Sequence, residues 1–149
     1  VISMLAVLDA TTLRIAFEPG EVDPHAVELI VECGVTLAVL NGESEREYNW
    51  NLQDEIRQAI RSTLPAHTDA GLSTDEWNSG ISALEAVEYP LPTEMEAAHQ
   101  RFLRVREIYV VNAYALARQL HAVPAPWSGT RNPSVDVIWP QIARTQGAL

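Results

Sequence analysis

The stretch TEMEAAHQRFLRVREIYVVNAYALARQLH, residues 93–121, decides the fold of this chain. It contains neither glycine nor proline, which predicts one long helix. Thr93 and Glu96 have the spacing of a capping box, so we expect the helix to begin there. Apolar side chains recur at steps of three and four and form a packing seam, made of Met95, Ala98, Phe102, Val105, Tyr109, Asn112 and Leu116.

The second half of this helix, from Ile108 to Ala117, is apolar on nearly every side. Such a helix is surrounded, either by its own domain or by a neighbouring subunit. Asn112 is the polar exception. Its amide could fix the register between two helices, or it could satisfy local backbone groups in an apolar core.

Residues 123–149 have a different composition from the helix before them. Prolines interrupt any regular helix, whereas Trp127 and Trp139 carry large apolar surfaces that favour burial. We therefore expect a helical domain over residues 1–122 and an extended C-terminal arm over residues 123–149. The two tryptophans either fold back on the domain or dock on another chain.

Start signals predict further helices upstream. Asp9 is a plausible N-cap for a short helix to Phe17, and Asp23 followed by proline predicts a helix to about residue 40. Asn51 and the capping box at Ser73 predict two more. The fold class is therefore mainly α, a compact bundle of about four to five helices. The alternative is an α/β fold with a short parallel sheet, because residues 3–8 and 35–40 could each be a buried strand.

Composition restricts the function. The chain has 149 residues, 47% of them hydrophobic, and a formal net charge of −10. Direct binding of nucleic acid is therefore not expected, since it requires clustered positive charge. No apolar run reaches the length of a membrane span, and we expect neither secretion nor a transmembrane segment. The expected location is the cytoplasm or a virion.

The charge is unevenly distributed. Residues 1–90 hold 16 acidic residues and 4 arginines, whereas residues 91–149 hold 4 acidic residues and 6 arginines. This asymmetry could favour head-to-tail contacts between copies of the chain. An ordinary solvated acidic surface, or an acidic mimic of nucleic acid, would have the same charge pattern.

Motifs for chemistry are few. Glu96 and His99 have the Glu-x-x-His spacing of di-metal helical bundles, but the second such pair that these sites need is missing. We predict no cofactor and no metal, and we favour a non-enzymatic role. The residues predicted to form interfaces with copies of the chain or with other protein subunits are Tyr109, Asn112, Leu116, Trp127 and Trp139.

Several stretches together resemble the small helical adaptor proteins of tailed-phage head-to-tail connectors. They are Leu13-Arg14-Ile15, Glu21-Val22-Asp23, an apolar helix ending at Asn41-Gly42, the late helix Val105 to Leu120, and Pro133-Ser134-Val135. The resemblance implies a ring-forming assembly protein with an extended C-terminal arm. The middle of the chain, residues 43–92, departs from it by being helical where more extended structure is expected.

The segment from Met4 to Asp9 resembles the first strand and first acid of PIN-type ribonucleases, as in bacterial toxins. That resemblance implies a metal-dependent ribonuclease in which Asp9 and either Glu45 or Glu47 are catalytic. The acid expected near Asn112 is absent from the sequence. We treat the nuclease, in degenerate form, as the alternative to the assembly protein.

Overall fold

The computed structural model describes residues 2–18, 20, 22–42, 52–62, 64–67 and 70–120. Within these ranges the chain forms helices and no strand. They are α1 (Ile2–Phe17), α2 (Pro24–Leu40), α3 (Leu52–Arg61), α4 (Thr74–Ala86) and α5 (Met95–Gln119). The mainly helical fold class is confirmed. The sheet alternative is wrong, because residues 3–8 lie in α1 and residues 35–40 lie in α2.

Helix α5 is the centre of the bundle and packs against α1, α2 and α3. Helix α1 runs antiparallel to it, since Ala16 meets Arg101 and Asp9 meets Tyr109. The C-terminal end of α2 reaches Asn112. The C-terminal end of α3 reaches Arg104. The long helix is therefore surrounded by its own chain.

The core is a single cluster in which every one of these helices takes part. Helix α3 turns one apolar face inward, as its sequence predicts. Helix α4 contributes chiefly Trp77, which contacts Phe102 at 5.5 Å between ring centroids. The largest side chains that are fully buried are Tyr109, Phe102, Leu8, Ile30, Leu37, Ile56, Val31, Val105 and Thr12.

Two of the predicted helix starts are confirmed. The Asp23 side chain accepts a hydrogen bond from the backbone N–H of His25 at 2.9 Å, and Pro24 is the first residue of α2. Ser73 and Glu76 form a complete capping box at the start of α4. Both signals act between residues that are close in the sequence.

Two other predicted caps are wrong, although α5 begins within two residues of Thr93. Glu94 occupies the N-cap position of α5 and makes no side-chain capping bond. The Glu96 carboxylate accepts a hydrogen bond from Gln100 instead. Asp9 is not a cap either, because α1 already begins at Ile2 and Asp9 lies in its middle.

Candidate functional site

A buried ion pair joins α1 to α5. Arg106 Nε donates to Asp9 Oδ1 at 2.9 Å, and Arg106 Nη2 donates to Asp9 Oδ2 at 3.3 Å. Asp9 is 3% exposed and Arg106 is 2% exposed. A two-point contact of this kind fixes the orientation of both side chains as well as their distance.

Two hydroxyl groups extend the pair into a network. Tyr109 Oη donates to Asp9 Oδ1 at 2.7 Å. The phenol proton is then committed to the carboxylate, so Thr12 Oγ1, 3.1 Å away, is the donor to Tyr109 Oη. Asp9 and Thr12 lie on one face of α1, whereas Arg106 and Tyr109 lie on one face of α5. The network is a polar seam within an apolar helix contact.

Burial decides the protonation states of this network. It raises the pKa of Tyr109 well above its ordinary value, and the negative charge of Asp9 raises it further. Burial alone would lower the pKa of Arg106, but the adjacent Asp9 carboxylate more than offsets this and raises it. Tyr109 therefore stays a neutral donor and Arg106 stays a cation.

Arg106 also binds the loop that precedes α4. Its Nη1 donates to the backbone carbonyl of Ala70, and its Nη2 lies 3.3 Å from Tyr114 Oη. Tyr114 Oη donates to the carbonyl of Gly71 at 3.2 Å. Ala70 and Gly71 both have positive φ, at 47° and 69°. One arginine thus connects α1, α5 and a tight turn.

A second buried arginine binds the end of α3. Arg104 Nε donates to the carbonyl of Ala59 at 2.8 Å, and its two terminal nitrogens donate to the carbonyls of Ser62 and Leu64. The last carbonyls of a helix lack intrahelical donors, and a cation there is favoured by the helix dipole. Arg101 does the same for α1, since its Nε donates to the carbonyl of Ala16 at 2.9 Å.

Asn112 connects α5 to the C-terminal end of α2. Asn41 Nδ2 donates to the Asn112 backbone carbonyl at 2.8 Å and to its own α2 carbonyl, that of Leu37, at 3.0 Å. Asn41 Oδ1 accepts from Gln119 Nε2 at 3.2 Å. The side chain of Asn112 takes part through a longer contact, 3.4 Å between its Oδ1 and Asn41 Nδ2, and its predicted register role stays a prediction.

His99 packs as an aromatic side chain. Its ring stacks on Trp77 at 4.3 Å between centroids and 16° between planes. Its Nε2 is buried without a hydrogen-bond partner. Burial lowers the pKa of His99, and the nearby Glu96 opposes that shift. No group of three or more potential metal-ligating side chains occurs among the described residues.

Of the predicted catalytic acids, Asp9 lies in the core and the other two lie outside the described residues. Asp9 is a helical residue whose two carboxylate oxygens both accept hydrogen bonds inside the core, not a residue at the end of a strand. A carboxylate so occupied holds helices together and does not present itself to a substrate. Glu45 and Glu47 lie outside the described residues.

The predicted interface residues fall into two groups. Tyr109, Asn112 and Leu116 are buried within their own chain. Contacts of α5 with a neighbouring subunit would therefore involve its exposed residues, such as Val111. Trp127 and Trp139 lie outside the described residues, as does the whole predicted arm.

One end of the bundle is nearly free of charge. We call it the apolar end, and it comprises residues 4–8 of α1, residues 33–42 of α2 and the turn after it, and residues 108–120 of α5 and the turn after it. Arg118 is the single charged residue in these three ranges. The apolar end also exposes large apolar side chains, namely Val7 (51%), Val39 (43%), Leu40 (57%), Val111 (50%) and Leu120 (61%).

The sequence did not predict Arg106, Arg104, Thr12 or Tyr114 as important residues. A signal existed for one of them: Asp9 stands in an apolar stretch, and a buried acid needs a cationic partner. The seam of α5 identifies Tyr109 but not the arginine three positions before it. Arg104 was predicted to lie off the seam, yet its long aliphatic stem lets it be buried with its charge on carbonyl groups.

Among the described residues, none of the helices combines the length and the apolarity that crossing a bilayer requires. The chain matches no protein-family model, no curated protein and no solved structure.

Proposed function

We propose that this protein is a non-enzymatic assembly component that binds copies of itself or other protein subunits through its C-terminal helix and the arm that follows. The observation that carries the proposal is the apolar end, where Leu40 and Leu120 are more than half exposed. Large exposed apolar side chains gathered at one place are typical of protein–protein contact sites.

The buried polar groups support a structural role over a catalytic one. Asp9, Arg106 and Tyr109 are hydrogen-bonded to one another within the core. Arg104 binds backbone carbonyls. These residues contribute to a rigid bundle, and a rigid bundle suits a protein whose task is to present a surface.

The specific form of this role is a component of a tailed-phage head-to-tail connector, as the sequence resemblance implies. The expected location is then the virion, or the cytoplasm of the cell in which virions assemble. Such an adaptor is helical, and so is this fold. The assignment to a connector rests on the sequence resemblance alone.

Light scattering coupled to gel filtration tests the proposal. The full chain, of 16.5 kDa, is compared with a shorter chain that ends at Ala122. We expect the full chain to have a mass several times 16.5 kDa and the shorter chain to be a folded monomer. If both chains have the same number of subunits, the arm does not drive self-assembly and that form of the proposal is wrong.

A further inference from the structure

We propose that the apolar end is the receptor for the C-terminal arm, residues 123–149, of a second copy of this chain. The inference rests on the proposed function and adds to it the contact through which copies join. It starts from the distribution of charge. In the other half of the same helices, and at the residues next to their ends, charged residues are frequent, including Arg14, Glu18, Asp23, Glu28, Glu32, Glu94, Glu96 and Arg101.

Helix α2 shows the contrast within one element. Its exposed face carries Glu28 and Glu32 in the first half and Val39 and Leu40 in the last turn. Hydration of the acidic half is favourable, whereas the exposed apolar side chains of the last turn favour removal from water.

Three of the exposed side chains of the apolar end are next in sequence to residues that contact one another. Asn41 follows Leu40, and Gln119 precedes Leu120, and these two polar residues are joined by a hydrogen bond of 3.2 Å. Asn41 also contacts Asn112, the neighbour of Val111. Leu40, Leu120 and Val111 therefore flank a single set of hydrogen bonds between α2 and α5.

Two segments of the chain adjoin the apolar end, and their compositions differ. Residues 43–51 follow Gly42 and contain Glu43, Glu45, Arg46 and Glu47, so they are poorly suited to cover an apolar surface. Residues 123–149 follow Leu120 closely and contain two tryptophans and only three charged residues. The arm is thus the segment whose chemistry matches the surface.

The spacing in the arm favours a contact with another copy. Pro124 and Pro126 stand between Leu120 and Trp127, and proline favours an extended backbone of about 3 Å per residue. If residues 121–127 are extended, they span roughly 20 Å, which is about two helix diameters. In the proposal this span brings Trp127 to the apolar end of a neighbouring copy.

A contact of an arm with the end of another bundle is heterologous, because the two surfaces differ. Such contacts form rings when the rotation between copies closes, and open chains when it does not. Each copy supplies one arm and one receptor. A copy with an impaired receptor keeps its arm, and a copy with an impaired arm keeps its receptor. The two copies should therefore join through one intact contact.

Sedimentation velocity on three variants of the full chain tests the proposal. The receptor variant is Leu40→Glu with Leu120→Glu, and the arm variant is Trp127→Ala with Trp139→Ala. The control is Leu29→Glu with Val87→Glu, because these exposed apolar residues lie outside the apolar end. Circular dichroism during urea unfolding establishes that each variant is folded.

We expect the control to keep the mass of the unaltered oligomer and the receptor and arm variants to sediment as monomers. An equimolar mixture of those two variants should form a dimer, with twice the mass of either alone, and should not grow further. This result would support the arm as the occupant of the apolar end.

Two outcomes would overturn the proposal. If the receptor variant keeps the mass of an oligomeric full chain, the apolar end is not the receptor, although the assembly function stands. If the mixture stays monomeric, the arm does not bind the apolar end of another copy. A full chain that is monomeric at every concentration would overturn the proposed self-assembly together with this inference.

Discussion

The carboxylate of Asp9 and the guanidinium of Arg106 face each other across the contact between α1 and α5, with 2.9 Å between Oδ1 and Nε. The two residues are 97 positions apart in the chain. Each is almost completely buried, so each depends on the other for the solvation that water would provide.

Replacing one partner of this pair should be costly. We expect Arg106→Met to lower the free energy of unfolding by about 3–5 kcal/mol, because Asp9 is left as a buried charge. Adding Asp9→Asn should recover about 1–3 kcal/mol, since the amide oxygen still accepts from Tyr109 and carries no charge. Urea denaturation of the two single variants and the double variant measures this coupling. Additive effects would contradict it.

Because of this ion pair, Asp9→Asn alone should lower the stability more than the loss of a helix cap would. As a helix cap, which the sequence predicts, Asp9 would contribute about 1 kcal/mol at most. As the partner of Arg106 it should contribute more, and we expect a loss of roughly 2–4 kcal/mol. A measured loss below about 1 kcal/mol would show that the ion pair adds little.

Gly71 is expected to tolerate no side chain. Its φ is +69°, and an added Cβ would lie 2.6 Å from Cε2 of Tyr114. Gly71→Ala should destabilise the fold by about 2–4 kcal/mol, from backbone strain and from displacement of the Tyr114 ring. Gly42 is the matched control, because its φ is +88° but its surroundings are open. Gly42→Ala should cost about 1 kcal/mol. If thermal unfolding shows the same loss of stability for both variants, the Tyr114 ring moves aside without cost.

Arg104 and Arg101 allow a comparison of two arginines on one helix. Arg104→Lys retains the charge but offers a single nitrogen to the three carbonyls that the guanidinium binds. We expect a loss of about 2–4 kcal/mol. Arg101→Lys gives up the hydrogen bond to the carbonyl of Ala16 and should cost less than about 1.5 kcal/mol. Chemical denaturation of both variants provides the test, and a reversed order would contradict it.

His99 should make stability depend on pH in a definite direction. Because burial lowers its pKa in the fold, the unfolded chain binds a proton at a higher pH than the folded chain does. The contribution of His99 is therefore complete above the ordinary pKa of about 6.5 and declines as the pH falls below it. His99→Phe retains a ring beside Trp77 but cannot titrate. We expect the unaltered protein to lose more stability than this variant between pH 7.5 and pH 5 in urea denaturation. Equal losses of stability in the two proteins over this pH range would exclude the effect of His99.

The sequence predicted those features that depend on neighbouring residues. Asp23 with Pro24, and Ser73 with Glu76, set helix starts within a few positions, and the structure has both. The length of α5 followed from the absence of glycine and proline. Thr93 failed as a cap: Glu94 occupies the N-cap position, and the Glu96 carboxylate accepts from Gln100.

Features that depend on distant residues could not be predicted in this way. The partner of Asp9 is 97 positions away, and no local pattern relates the two. The strand alternative for residues 35–40 arose because a short apolar run has no period that distinguishes strand from helix. In the structure this run is helical, with Val35, Leu37 and Ala38 buried, and its end is fixed by Asn41. Tertiary packing decided the conformation.

The central place of α5 has a consequence for synthesis on the ribosome. Helices α1, α2 and α3 emerge first, yet Arg101, Arg104, Arg106 and Asn112, which hold their ends and satisfy Asp9, are translated last. Until α5 has left the exit tunnel, the earlier helices lack their common packing partner and Asp9 lacks its counter-charge. Cooperative folding must therefore wait for nearly all of residues 1–120. A nascent chain stalled before residue 95 should remain sensitive to protease.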